Sequence, residues 1–183
     1  MIDGASVRYK PAILLAINCA YGNSDIAELR QKHLDLKKAW VDFPRPKTGI
    51  QRRCPLWPET IQALREAEKE RTEPRDPADA DRIFITTYGL PWVRFSGKTW
   101  ADTPGLLFRV LCLNLGFYET NMGFYWLRHT WRTVADATRD FPACDLIMGH
   151  SADDMASEYR EEISDDRLIA VTDHVKKWLY GKL

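Results

Sequence analysis

Between Leu127 and Tyr159 the chain sets out side chains in an order that suits attack on a phosphodiester. The stretch reads LRHTWRT over Leu127–Thr133 and IMGH over Ile147–His150, and Tyr159 follows nine positions after His150. The guanidinium of Arg128 can hold two phosphate oxygens in a fork and stabilise charge growing on them. His150 can give or take a proton near neutral pH. The phenol of Tyr159 can act as a covalent nucleophile, although its ordinary pKa of about 10 demands activation by positive neighbours or a base.

A second basic cluster lies upstream in PRPKTGIQRRCPL, Pro44–Leu56. Lys47 falls at the turn. Arg52 and Arg53 fall on the returning strand, one suited to a DNA phosphate and the other to a carboxylate. With Lys37, Lys38, Arg128 and Arg132 these residues can form one DNA-facing surface. Asp153, Asp154, Glu161, Glu162, Asp165 and Asp166 make the tyrosine end acidic, as a solvated face would be.

The elements that must position these groups follow from the pattern. Tyr9–Ala20 carries Ile13, Leu14 and Ile17 at helical spacing. Gly22-Asn23 breaks it, and Ser24 is placed to cap a short helix reaching about Leu29. Leu34–Leu36, Trp40–Phe43 and Ile50–Trp57 read as strands of a small antiparallel sheet. Pro58–Arg71 reads as a helix with Ile61, Leu64 and Ala67 inward, Thr72–Asp81 as a loop, Arg82–Thr86 as a short strand and Tyr88-Gly89 as a turn. Helices are expected over Thr99–Leu115, Tyr125–Thr138 and from there to Met148, closed by Gly149. Ser151-x-x-Asp154 is a capping-box pattern before Tyr159. Ser164 can cap a last helix whose Leu168, Val171, Val175, Trp178 and Leu179 form one apolar stripe. That stripe suits either the chain's own core or a neighbouring protomer. The fold class is mainly α with one small antiparallel sheet, an α+β helical bundle.

The 183 residues suffice for one domain with a real core. A formal net charge of zero excludes a polybasic DNA-coating protein but leaves room for a local basic face. Four separated cysteines, Cys19, Cys54, Cys112 and Cys144, form no CxxC pair, which argues against zinc and for reduced thiols in the cytoplasm. The apolar run Ala12–Ala20 is too short to cross a bilayer, and no membrane partner is expected.

The R-H…G-H…Y series at Arg128-His129, Gly149-His150 and Tyr159 resembles the C-terminal signature of the tyrosine recombinases, the phage-integrase family. The resemblance runs from about Ala12 to Leu179 and implies an integrase-type catalytic domain over residues 1–183. The N-terminal core-binding domain of such proteins has no counterpart here, and residues 1–7 read as a linker remnant. The implied function is site-specific recombination of double-stranded DNA through a 3′-phosphotyrosine, with no metal, ATP or other cofactor, by protomers that meet on DNA through the C-terminal helix. Tyr159 matches the nucleophile, Arg128 the second catalytic arginine, His150 a histidine-type position and Lys47 the lysine that protonates the leaving 5′-oxygen. Two positions depart from the family pattern. Tyr125 stands where a histidine precedes Arg128 by three residues. Ser24 stands two residues after Gly22, in the place of the first arginine, with Asp25 beside it and Arg30 the nearest cation along the chain. A lost guanidinium at such a site costs on the order of 10²–10³ in rate. The alternative reading is therefore a recombinase-like DNA-binding protein with impaired catalysis. A type IB topoisomerase-like relaxase is a more distant third.

Overall fold

A computed structural model describes residues 1–150 and 163–181. Its first long helix, α1 (Lys10–Cys19), is buried on every side, with all residues from Pro11 to Cys19 inside. A helix apolar all round must lie at the centre of a bundle. Helices α3 (Pro58–Lys69), α5 (Trp126–Ala135) and α7 (Asp165–Leu179) pack around it. Between them along the chain come α2 (Asn23–Glu28), α4 (Thr103–Asn114) and α6 (Phe141–Met148). The mainly helical fold with a small antiparallel sheet is the one the pattern predicts, and a second, two-stranded sheet is added to it.

Strands β1 (Leu34–Asp35), β2 (Trp40–Asp42) and β3 (Arg53–Pro55) form an antiparallel sheet in that order. Val41 and Cys54 face each other in its register, both buried. Beyond the ladder, Phe43 N–H donates to the Arg52 carbonyl at 3.1 Å and Arg45 N–H to that of Ile50 at 2.8 Å, so the β2–β3 stem runs on to a turn at Arg45–Gly49. Gly49 closes that turn with φ 71°.

The side chain of Asn18 joins the bundle to this sheet. Its amide nitrogen donates to the Pro55 carbonyl at 2.9 Å, while its oxygen accepts from Trp57 N–H at 2.8 Å and the Thr60 hydroxyl at 3.0 Å. A wholly buried asparagine is tolerable only when so satisfied.

Several expected elements take another form. Thr99–Asp102 is strand β5, paired with β4 (Val93–Ser96) in a hairpin around Gly97, rather than the start of a helix. Asp102 caps α4 by accepting from Gly105 N–H at 3.1 Å, and Pro104, lacking a donor, fits the first turn. The expected strand Arg82–Thr86 makes only isolated bridges, Arg30 with Arg82 and Ile85 with Pro91. Helix α2 begins at Asn23 with Gly22 as its cap, so Ser24 is an exposed first-turn residue and not the cap. Residues 2–4 form a 3-10 turn, and Ile2 and Ala5 rest on the core rather than trailing. On α7 the stripe splits: Leu168, Val171 and Val175 are buried in the chain's own core, Leu179 packs partly against it, and Trp178 is exposed. The proposed capping box at Ser151 and Asp154 lies outside the described residues.

Candidate active site

Helix α5 carries Leu127, Trp131 and Ala135 inward at i, i+4 and i+8, and this fixes its rotation. Arg128, next to Leu127, is thereby driven inside, with 1% of its side chain exposed. Its Nη1 donates to the Ala20 carbonyl, and its Nη2 to the Met148 carbonyl at 2.8 Å. Ala20 follows the last residue of α1, and Met148 ends α6. A guanidinium there answers unpaired carbonyls and the negative ends of two helix dipoles. Arg128 is thus a clamp between two helix ends as well as a charge.

Its neutralising carboxylate is Asp25. From the first turn of α2 the Asp25 side chain turns back to accept from Gly22 N–H at 2.7 Å and from Arg52 Nη2 at 2.7 Å, with Arg128 Nη1 at 3.9 Å. Arg52 is equally interior, 1% exposed in its side chain. Its Nε donates to the Phe43 carbonyl at 2.7 Å, and its guanidinium lies 4.3 Å from the Tyr21 ring centre and 5.0 Å from that of Phe43. The expectation of Arg52 on a DNA-facing surface thus meets a side chain in the interior, held there by its carboxylate and two rings.

His150 sits just beyond the end of α6. Its Nε2 is 3.1 Å from Arg128 Nη2, and its Nδ1 is 3.7 Å from Asp145 Oδ1. Because an arginine can only donate, Nε2 must be the accepting nitrogen and Nδ1 carries the proton. Burial, with the charges of Arg128 and Arg45 added, pulls the His150 pKa below its ordinary value, so the ring is neutral at pH 7. Burial likewise lowers the Arg128 pKa, opposed by Asp25 and Tyr125 and reinforced by Arg45 and Arg52. Gly149, at φ 65°, makes the junction: a Cβ there would lie 3.0 Å from Arg45 Cβ and 3.2 Å from Arg52 Cδ. The β2–β3 stem therefore rests directly on the backbone that presents His150.

The other candidates are placed as follows. Lys47 is exposed in the hairpin turn. Tyr125, 41% exposed, lies over Gly22, where a Cβ would come within 3.1 Å of its ring, and meets the His129 ring at 5.0 Å. Arg53 stacks on Trp40 at 4.3 Å and pairs with Asp165 at 3.2 Å and Asp42 at 3.8 Å. Arg132 is taken up by Asp136 at 2.6 Å and by Asp145. Arg30 pairs with Asp81 and donates to the Ala78 carbonyl at 3.0 Å, so it is engaged by the 72–81 loop. Tyr159 lies outside the described residues, as do Asp153, Asp154, Glu161 and Glu162. The structure thus brings together Arg128, His150, Asp25 and Arg52. It adds Arg45, which the sequence reading passed over although it stands two residues before Lys47 on the same stem.

The sequence profile described as the phage integrase family matches residues 2–164. The chain belongs to the phage integrase family. Among solved structures, this integrase-family domain superimposes on the Tn1549 transposon integrase in complex with a circular intermediate DNA with a TM-score of 0.63 at 21% identity, over 90% of this chain and 58% of that one. XerA recombinase gives 0.66 at 18% identity, over 94% and 60%. The XerH site-specific recombinase bound to its difH substrate, in a pre-cleavage complex, gives 0.65 at 17% identity, over 92% and 49%. At such identities the likeness is one of fold, and the chain spans less than two thirds of each of those structures. No curated protein matches it. Among the described residues of this phage-integrase-family chain, no group of three or more metal-ligating side chains gathers, and no helix is long and apolar enough to cross a membrane.

Proposed function

We propose that this integrase-family domain cuts and rejoins double-stranded DNA at specific sites in the cytoplasm, without a cofactor. In this reading the phenolate of Tyr159 attacks the scissile phosphorus and forms a 3′-phosphotyrosine. The bond to the 5′-oxygen breaks, and Lys47 supplies that oxygen's proton. The reverse attack by a 5′-hydroxyl restores the strand and frees the tyrosine. Arg128 stabilises the charge on the non-bridging oxygens, and His150 contributes its uncharged ring. Tyr125, exposed over Gly22, is suited to donate a hydrogen bond to the same phosphate. Of the arginines assigned to DNA, Arg53 and Arg132 would have to exchange carboxylate partners for phosphate, and Arg52 acts indirectly by holding Asp25.

One observation carries the reading: Arg128 and His150, 3.1 Å apart, meet where the Lys47 hairpin rests on Gly149. The outer face of α7, where Ile169 and Trp178 are exposed, is the surface on which protomers would meet on DNA. The test is incubation of the full chain with nicked suicide duplexes of randomised sequence, followed by denaturing electrophoresis. A covalent adduct from wild type that Tyr159→Phe does not form supports the proposal. DNA retention by wild type with no adduct supports the impaired, DNA-binding alternative, which the inward carboxylate of Asp25 beside Arg128 favours.

A further inference from the structure

Helix α2 delivers no cation to the Arg128 pocket. Ser24 is exposed on its first turn, Asp25 points inward with a negative charge, and Arg30 is held by Asp81. The charges that do converge are unequal. Arg128 feels two other guanidinium groups, Arg45 and Arg52, and one carboxylate, Asp25. The nearby Asp145 is bound to Arg132. Asp25 and Arg52 neutralise each other in the interior at 2.7 Å. Among the described residues, what is left is a surplus of positive charge at Arg128 and Arg45, and a partly buried surplus of this kind attracts an anion.

The two arginines differ in how they are engaged. Arg128 spends both Nη atoms on helix-end carbonyls and His150. Arg45 is half-buried and, among the described residues, its side chain makes one long hydrogen bond, Nη1 to the Gly149 carbonyl at 3.3 Å. Its remaining donors are therefore available in the fork geometry that fits two oxygens of one phosphate. Its backbone is fixed, because Arg45 N–H donates to the Ile50 carbonyl at 2.8 Å and its carbonyl accepts from Thr48 at 3.1 Å and Gly49 at 2.8 Å. The side chain leaves this rigid turn along Gly149, next to His150, with Lys47 two residues further on the same turn.

We propose that Arg45 is the second phosphate-holding arginine of this chain, gripping from the hairpin the oxyanion that Arg128 and His150 face from the helices. The inference rests on the strand-transfer reading for its substrate, but the anion site it describes exists without turnover. Arg45 thereby supplies from β2–β3 a charge that α2 lacks. The same hairpin then carries both the charge that holds the phosphate and the lysine assigned to the leaving group, so docking of this one element completes the site.

Two measurements test it. In the first, inorganic phosphate is titrated into the full chain while the His150 ring is followed by NMR. Bound phosphate raises the His150 pKa saturably in wild type. Arg45→Met, which keeps the aliphatic stem along Gly149, weakens the phosphate response about tenfold, and Arg45→Lys weakens it less. Urea midpoints equal to wild type confirm that both variants fold. Equal phosphate affinity in wild type and Arg45→Met overturns the proposal, as does a wild-type His150 that ignores phosphate. In the second, Arg45→Met lowers the rate of covalent adduct formation by about 10²–10³-fold, the scale of one lost oxyanion donor, and Arg45→Lys restores part of it. An unchanged rate in Arg45→Met overturns the assignment. Failure of wild type to form any adduct would instead count against strand transfer, and the phosphate titration would still decide the role of Arg45.

Discussion

Asp25 neutralises two interior arginines, so its removal should be costly in a way that no exposed ion pair is. Replacing it by asparagine keeps the shape and one acceptor for Gly22 N–H but removes the charge. Arg52 would then be a buried cation, 1% exposed, with only the Phe43 carbonyl and two aromatic faces to hold it. Arg128, at 3.9 Å, would lose its only described counter-charge as well. Breaking a buried pair from one side costs about 3–5 kcal/mol. With a urea dependence of about 2 kcal/mol per molar for a chain of this size, the midpoint should fall by roughly 2 M. Tryptophan fluorescence is a suitable probe, since Trp57 and Trp131 are buried in the core. The decisive form is a double-mutant cycle with Arg52→Met. The double variant removes both charges and should be more stable than the sum of the single losses by about 2 kcal/mol. A midpoint shift for Asp25→Asn below about 0.5 M, together with effects that add to within about 0.5 kcal/mol, would refute the buried-triad account.

Arg128→Lys keeps the charge but loses the fork that joins the Ala20 and Met148 carbonyls, so thermal unfolding should show a loss of about 1–3 kcal/mol. Asn18→Leu strands the Trp57 N–H, the Pro55 carbonyl and the Thr60 hydroxyl in the interior; its loss, read by urea unfolding, should be about 3 kcal/mol or more, from three unmade bonds at about 1–3 kcal/mol each. Gly149→Ala places a Cβ against Arg45 and Arg52 at positive φ; a loss of about 1–2 kcal/mol from backbone strain alone is expected, with displaced His150 resonances in NMR. His33 has its pKa lowered by burial and by Lys32, Arg30 and Arg52, opposed by Asp81, and its Nδ1 accepts from Arg30 N–H at 3.1 Å while its ring packs 4.4 Å from Phe43. A folded-state pKa below the unfolded value of about 6.5 means stability that is full above pH 6.5 and falls as pH drops through the folded value. Urea midpoints measured between pH 7 and 5 should decline, and His33→Gln should flatten part of that slope.

The helical frame was legible because it rests on local periodicity. Leu127, Trp131 and Ala135 define the inner face of α5, and Pro58 and Ser164 stand at the starts of α3 and α7. Features that depend on distant partners were not. Arg52 follows a turn and precedes another arginine, and locally reads as exposed; only Asp25, 27 residues away, together with Tyr21 and Phe43, makes its burial tolerable. Asp25 itself reads as a misplaced charge until Gly22 and Arg52 are seen to bind it. The β4–β5 hairpin was obscured because Thr99–Asp102 is short and stands directly before α4, whose start is set by the Asp102 cap and Pro104. Arg45 was overlooked because its neighbours in space, Gly149 and His150, lie 104 and 105 positions on.

The central claim is that a phosphoryl group passes through the Arg45, Arg128 and His150 pocket to Tyr159. Mass spectrometry of tryptic peptides, after incubation with the nicked duplex pool and nuclease trimming, tests it most directly. The account predicts a nucleotide remnant on the peptide containing Tyr159 in wild type, and none in Tyr159→Phe. A remnant on any other residue, or an unmodified Tyr159 in wild-type protein that has bound the DNA, would contradict it.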